Sequence, residues 1–440
     1  MKSLLEKINK RRLRMAIVGL GYVGVPLATE FLKEGFYVAG CDISEKRVQS
    51  IQNKTFQLEN VDLTDLYKAL KKGQFEVSTD YSCLKDIHAV SICVPTPLGK
   101  TRDPDLSYIV SSVEAIAKNL NPPQIVILES TTYPGTTEEI VIPIMEKNGW
   151  KLDKDYFLAF SPERVDPGNK RFGTNNIPKI IGGQTPVSLK VCQALYECII
   201  EKVYPVSSTR VAEMAKLLEN TFRMVNIALV NEIAMMCHHM DLNVWEVIEA
   251  AATKPFGFMP FYPGPGLGGH CLPIDPIYLS WKARMMDTEA RFIDLAQMIN
   301  TGMPVHVVEL LGEALNNHKK ALHGSKIMIL GVTYKKDVAD IRETPAFDIF
   351  KVLIRKGARV SYHDPYVPAF KIDGHAHAHL KEFKSVALTP KNIRSQDALI
   401  LVTDHSAFNM NSITQHAKLL LDTRNATKNV KQHRQKIVLL

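Results

Sequence analysis

The chain has no apolar run near the ~18 residues that a membrane span needs, and no such span is expected. Its basic N-terminal stretch is not followed by an apolar core with a small-residue cleavage site, which argues against a secretory signal. Cysteine is sparse. Cys41, Cys83, Cys93, Cys192, Cys198, Cys237 and Cys271 make an odd set without a C-x-x-C pair. That argues against a disulfide scaffold and a structural zinc site, and fits reduced cytoplasmic thiols. No metal is expected. No tandem repeat is visible, so a solenoid is excluded. Charge of one sign is also scarce outside the ends. The formal net charge is +8, but residues 1–14 hold Lys2, Lys7, Lys10, Arg11, Arg12 and Arg14 against Glu6 alone. Residues 424–440 hold five more basic side chains and no acid, so the remainder is slightly acidic. Basicity confined to the ends reads as solvated tails rather than a nucleic-acid footprint.

What remains is ordinary globular material, 440 residues of which 45% are apolar and 23% charged, enough for two or three domains. Residues 14–20 read as a strand, 21–35 as a helix closed by a glycine, and 36–41 as a second strand. Further strands are expected at 89–94, 124–128 and 156–160, separated by helix-length segments, the rhythm of a parallel doubly wound sheet. From 207 to 252 the pattern becomes one long, nearly glycine-free helix, a connector and a dimer surface. After residue 325 the alternation returns, with strands at 326–330, 358–363, 398–403 and 418–422 and a helix at 344–357. The expected fold is α/β, two Rossmann-like doubly wound domains joined by a long central helix. Its divisions are 1–204, 205–310 and 311–440.

Gly19-Leu-Gly21-Tyr-Val-Gly24 is a G-x-G-x-x-G placed after a strand and opening a helix. The first glycine makes the turn, the second admits a pyrophosphate to the backbone, and the third lets helix and sheet pack closely. Tyr22 and Val23 lie within the turn, where helix N-terminal N–H groups face phosphates. Asp42 ends the second strand 18 residues past Gly24, where a carboxylate would hold a ribose 2′-hydroxyl and repel a 2′-phosphate. NAD, rather than NADP, is the expected cofactor; Arg47, one helical turn on, is the feature that weakens the distinction.

The most unusual stretch is 256–276, where five glycines and five prolines occupy ten of 21 positions. Such a loop lets backbone pass close to a ligand. Cys271 sits at its end, four residues before Asp275, poorly placed for core packing and well placed as a nucleophile. The side chain of the adjacent His270 should point away. On the long helix Glu213, Lys216 and Asn220 fall on one face among apolar neighbours, and buried polar groups need partners. Glu163 follows the 156–160 strand and Thr131 follows the 124–128 strand, at the strand ends where ligands bind in such sheets. In the second α/β domain, the segment Tyr334 to Arg342 carries a basic cluster suited to a pyrophosphate.

Taken together, the segments at 19–24, 130–131, 161–164, 215–220, 264–275 and 334–342 resemble, in order, the UDP-glucose/GDP-mannose dehydrogenase family over essentially the whole chain. Within that family, residues 256–278 and 161–168 look most like UDP-N-acetylglucosamine 6-dehydrogenases. The UDP-N-acetylmannosamine, UDP-N-acetylgalactosamine and UDP-glucose enzymes are close relatives. One departure is Pro255, where UDP-glucose enzymes carry an arginine that reaches a neighbouring subunit's substrate.

The resemblance implies an N-terminal NAD domain, a helical dimerisation core and a C-terminal domain for the UDP group. The partners it implies are a UDP-sugar and a second copy of the chain, without nucleic acid or membrane. The implied reaction is a four-electron oxidation of the sugar C6 hydroxyl to a carboxylate, with two NAD⁺ and one water, feeding surface polysaccharide synthesis. Cys271, Lys216, Asn220, Asp275, Glu163 and Thr131 would carry the chemistry. Gly19, Gly21, Tyr22, Val23, Gly24, Asp42, Arg47, Thr96, Thr131 and Arg342 would bind the cofactor. Glu163, Arg164, Lys216, Asn220, Gly266, Gly268 and Lys335 would bind the substrate. Two rivals stand beside this reading. A single-step dehydrogenase would share the glycines without needing Cys271, and would yield one NADH per substrate rather than two. A non-catalytic NAD-binding sensor would dispense with the lysine, the cysteine and the two acids.

Overall fold

The computed structural model describes residues 1–58, 61–99, 101–166, 171–372 and 381–440. The chain forms two compact units: Met1–Glu219 with Ile277–Thr288, and Asn220–Pro276 with Glu289–Leu440. The first is built on eight strands: β1 (Arg14–Val18), β2 (Tyr37–Cys41), β3 (Phe75–Ser78), β4 (Ala89–Ile92), β5 (Gln124–Leu128), β6 (Tyr156–Phe160), β7 (Lys179–Gly183) and β8 (Val203–Val206). Their order is β3-β2-β1-β4-β5-β6-β7-β8, and the order reverses between β1 and β4. β4, β5 and β6 are buried at every position, because helices cover both faces of the sheet. The sheet is not wholly parallel as expected: β7 runs antiparallel to β6, pairing Phe160 with Gly182.

The second unit carries β9 (Lys326–Leu330), β10 (Arg359–His363), β11 (Ala369–Ile372), β12 (Lys381–Lys384), β13 (Ala398–Leu401), β14 (Leu420–Asp422) and β15 (Ile437–Leu439). Five of them form a parallel sheet in the order β10-β9-β13-β14-β15, and β11 and β12 form a separate antiparallel pair. Its core contains Met328, Ile329, Ile400 and Leu421, with Ile349 and Phe350 from the helix Pro345–Arg355.

The long helix begins in the first unit and ends in the second, but it is shorter than the expected 207–252. It runs from Thr209 to His239 and a separate helix covers Val244–Ala251. Between them Asp241 takes a left-handed φ of 54° and the Asn243 side chain caps the Trp245 amide, so the chain stops and restarts.

The solvated tails are a second correction. The helix Lys2–Asn9 buries Leu4 and Ile8 in the core of the first unit, and the Arg14 guanidinium lies 3.7 Å from the Tyr37 ring centroid. At the other end β15 pairs with β14, while Lys436 Nζ donates to the Gln415 carbonyl at 2.8 Å. Both basic ends are folded onto their own units. Among the described residues, no helix is long and apolar enough to cross a membrane.

Candidate active site

The glycine turn follows β1 at the point where strand order reverses, the position at which open α/β sheets bind ligands. Gly19 has φ +95°, and a Cβ there would stand 2.5 Å from the Cys93 carbonyl oxygen after β4. A Cβ on Gly24 would collide with the Gly19 carbonyl, so the third glycine lets the helix Gly24–Lys33 seat on the turn. Gly21 differs: a Cβ there meets nothing within 4 Å. No packing inside the protein requires glycine at 21, whereas a pyrophosphate laid against its backbone would. The residues therefore fit a dinucleotide. Val23 precedes the helix, Tyr22 is exposed, and Thr96 is buried after β4.

Asp42 is buried and already engaged. Its Oδ2 accepts from the Leu20 amide at 2.9 Å and from Arg47 Nη1 at 2.7 Å, and its Oδ1 accepts from the Ser44 amide at 2.9 Å. Oδ1 keeps a lone pair for a hydroxyl. Arg47, which lowered the contrast between the two cofactors in the sequence, neutralises this carboxylate directly.

Behind the ends of β5 and β6, Glu163 Oε1 accepts the amides of Arg164 at 2.7 Å and Val165 at 2.6 Å. Arg164 is turned to internal partners, pairing with Glu219 at 2.7 Å and donating to the Pro178 carbonyl at 2.6 Å. Residues 167 and 168 of the substrate-class segment lie outside the described residues. Thr131 is half-buried after β5. Of the polar face on the long helix, Glu213 turns to structure. Its carboxylate accepts the amides of Gly135 at 2.6 Å and Thr137 at 2.9 Å, and the Thr137 hydroxyl at 2.6 Å. Burial pushes Glu213 up to about 7 against the pull of those hydrogen bonds. Lys216, one turn on, is largely buried along its stem; its ammonium keeps solvent access and has no hydrogen-bond or ion-pair partner among the described residues.

In the second unit Cys271 is the single exposed cysteine of the seven. Its carbonyl accepts the amide of Asp275 at 2.8 Å, which opens the helix Asp275–Met285. Asn220 Nδ2 donates to Asp275 Oδ2 at 2.5 Å, so the amide and the carboxylate are joined directly, beside the Cys271 backbone. The loop before Cys271 is pinned by its glycines. The Gly269 amide donates to the Arg342 carbonyl at 3.0 Å, and a Cβ on Gly268 would stand 2.6 Å from Tyr334 Cβ. Gly266 has φ +130° and faces Pro345. Burial, then the charge of Arg342, pushes His270 below the usual histidine range. Lys335 is half-buried, and Arg342 pairs with Asp340 at 2.5 Å.

Sequence reasoning passed over two features. Arg424 has its guanidinium beside Gly264, donates from Nε to the Val402 carbonyl at 2.8 Å, and is pushed below its ordinary value by burial. It was counted as tail charge; the apolar run Lys418–Asp422 just before it was the available signal that this segment is sheet. The second is a buried group of Glu129, Lys179 and Tyr196 behind Glu163, for which no local motif gives a signal.

Three profiles of one family match in order: UDP-glucose/GDP-mannose dehydrogenase family NAD binding domain over 13–200, central domain over 210–302 and UDP binding domain over 328–429. A UDP-N-acetyl-D-glucosamine 6-dehydrogenase of Pseudomonas aeruginosa is 35% identical over 90% of this chain and 91% of its own. A UDP-N-acetyl-D-mannosamine dehydrogenase of Methanococcus maripaludis is also 35% identical, over 90% and 87%. The solved UDP-N-acetyl-D-mannosamine dehydrogenase of Pyrococcus horikoshii superposes with a TM-score of 0.86 at 32% identity, covering 97% of this chain and 98% of that one. The glycine turn fitted to a dinucleotide and the matched domains lead to one conclusion: the chain belongs to the UDP-glucose/GDP-mannose dehydrogenase family, as an NAD-dependent UDP-sugar dehydrogenase.

Proposed function

We propose that the chain oxidises the C6 hydroxyl of a UDP-N-acetylhexosamine, foremost UDP-N-acetylglucosamine, to the uronic acid in two oxidations. The observation that carries this reading is Lys216, a largely buried lysine whose ammonium has no hydrogen-bond or ion-pair partner among the described residues, one helical turn from Asn220. An ammonium not engaged by a protein carboxylate is available to an oxygen that gains negative charge during reaction. Lys216 and Asn220 therefore stabilise the C6 oxygen as it loses its proton to an ordered water. Bound NAD⁺ supplies a hydride acceptor, once in each oxidation.

The Cys271 thiolate then adds to the aldehyde carbon, and the second hydride leaves the resulting thiohemiacetal to give a thioester. The Cys271 carbonyl lies at the start of a helix, the end that favours negative charge. Water cleaves the thioester, releasing the carboxylate and returning the thiol. Asp275, Glu163 and Thr131 are the alternative candidates for orienting that water. Gly266, Gly268, Lys335 and Arg424 hold the nucleotide end. The glycine turn would hold the cofactor, with Asp42 at its ribose and Thr96 and Thr131 as further contacts. A second copy of the chain is expected on the long helix, where Val211, Met214, Leu218, Phe222, Leu229 and Met236 form an exposed apolar stripe at helical spacing.

Pro255, in place of the arginine of the UDP-glucose enzymes, supports the acetamido sugars over UDP-glucose. A pocket built for an N-acetyl group leaves an amide partner unfilled by glucose, worth about two orders of magnitude in specificity. The equal identity of the mannosamine relatives favours the C2 epimer as a second reading. Comparing kcat/KM for UDP-N-acetylglucosamine, UDP-N-acetylmannosamine and UDP-glucose tests both. A preference for UDP-glucose refutes the acetamido reading, and a preference for the mannose epimer refutes only its stereochemistry.

A further inference from the structure

Extending the β6–β7 pairing of Phe160 with Gly182 by three residues in each strand sets Glu163 opposite Lys179. Because β7 is antiparallel, its first residue reaches the ends of β5 and β6, where Glu129 and Glu163 stand. Lys179 Nζ donates to Glu129 Oε2 at 2.7 Å and to the Pro162 carbonyl at 3.4 Å, and lies 3.9 Å from Glu163 Oε2. The Tyr196 hydroxyl donates to the other oxygen of Glu129 and contacts Ser91 Oγ at 3.1 Å. Glu129, Lys179, Tyr196 and Ser91 are all buried, whereas the Glu163 side chain keeps 15% exposure. Burial opposes the charge on Lys179, but Glu129 and Glu163 more than offset it and hold the ammonium above its ordinary value.

We propose that Lys179, anchored by Glu129 and Tyr196, is a positioning residue that fixes the carboxylate of Glu163 for the hydrolytic half of the reaction. Glu163 is held from two sides. Backbone amides fix Oε1 by hydrogen bonds, and the ammonium, 3.9 Å from Oε2, attracts that oxygen electrostatically without a hydrogen bond. A cluster serving only the fold could be replaced by apolar residues of similar volume at little cost. Here the ammonium is shared with a second, partly exposed carboxylate at a ligand-binding sheet end. The inference rests on the two-oxidation reading above and deepens it.

Lys179→Met alone would leave Glu129 buried without its counter-charge and can fail to fold. The decisive protein is therefore Glu129→Gln/Lys179→Met, with Lys179→Arg and Tyr196→Phe beside it. Each is mixed with excess NAD⁺ and the UDP-sugar that the unaltered protein oxidises fastest. Hydride transfer is followed by NADH absorbance, and the acyl group on Cys271 by mass spectrometry of quenched samples.

We expect the double variant to bind NAD⁺ normally and to give its first NADH within about threefold of the wild-type rate, while thioester hydrolysis slows by about 100-fold and acyl-enzyme accumulates. Lys179→Arg should recover part of the hydrolysis, and Tyr196→Phe should slow it by several-fold. Hydrolysis at the wild-type rate in the double variant, or equal slowing of the first hydride transfer and of hydrolysis, overturns the assignment. If the double variant does not fold, unchanged hydrolysis in Tyr196→Phe together with equal slowing of both steps in Lys179→Arg overturns it instead. One NADH per sugar from the unaltered protein overturns the two-oxidation reading and this inference with it. Two NADH with unaltered hydrolysis in the variants overturns this inference alone.

Discussion

Glu213→Gln should change how the stability of the first unit depends on pH. Glu213 is fully buried, and its carboxyl is raised from an ordinary 4.5 to about 7. Between those values the folded protein binds a proton that the unfolded chain releases, so this group's contribution to stability is full below 4.5. It is lost as pH rises through 7. The interval of about 2.5 units corresponds to about 3 kcal/mol. For a unit of this size that is roughly 6–12 °C in Tm. Glutamine copies the neutral carboxyl and does not titrate. Its own hydrogen-bond defects at Gly135 and Thr137 lower Tm by an amount that does not vary with pH. Tm of both proteins measured from pH 4.5 to 8 should give curves that approach one another as pH rises, with the wild type losing the larger share between pH 5 and 7. Other titrating groups are common to both and cancel in the difference. Parallel curves would refute the burial argument. A difference that grows with pH would mean that the hydrogen bonds to the ionised form outweigh desolvation.

Asp42→Ala removes the acceptor for the Leu20 and Ser44 amides and leaves Arg47 unpaired, so kcat/KM for NAD should fall by about 100-fold while the NADP value rises relative to it. Steady-state kinetics with both cofactors checks this, and an unchanged ratio would remove Asp42 from the ribose site. Gly269→Ala forces a side chain onto φ +80° with its Cβ 2.8 Å from the Tyr334 ring, and should lower kcat by at least about tenfold. NAD⁺ affinity, set in the other unit, should be unchanged by isothermal titration; a matching loss there would mean that the fold, not the loop, was damaged.

Much of the first sheet was legible because its interior strands are buried on both faces and read as unbroken apolar runs, as in Gln124 to Leu128. The edges were not. β3 alternates Phe75-Glu-Val-Ser, and β8 contains Pro205 and exposes Tyr204, so each lacks the apolar density that marks a central strand. The helix break at Asp241 carried a signal in its capping Asn243, but helical periodicity on either side outweighed it. The glycines before Cys271 were readable as close-packed positions, and Gly268 and Gly269 do pack against Tyr334. The pairing of Lys179 with Glu129 was not, since it depends on β7 running antiparallel, a matter of topology rather than of local sequence.

The central claim is two oxidations through Cys271, and the most direct measurement is the yield of NADH per molecule of UDP-sugar. A limiting amount of UDP-N-acetylglucosamine is consumed to completion by the unaltered protein and presented to Cys271→Ala, with excess NAD⁺ in both cases. We predict two NADH and one uronic acid from the unaltered protein. The alanine variant should bind NAD⁺ but form no net acid, because the second hydride has no thiohemiacetal to leave. One NADH per sugar from the unaltered protein, or two from Cys271→Ala, would contradict the account.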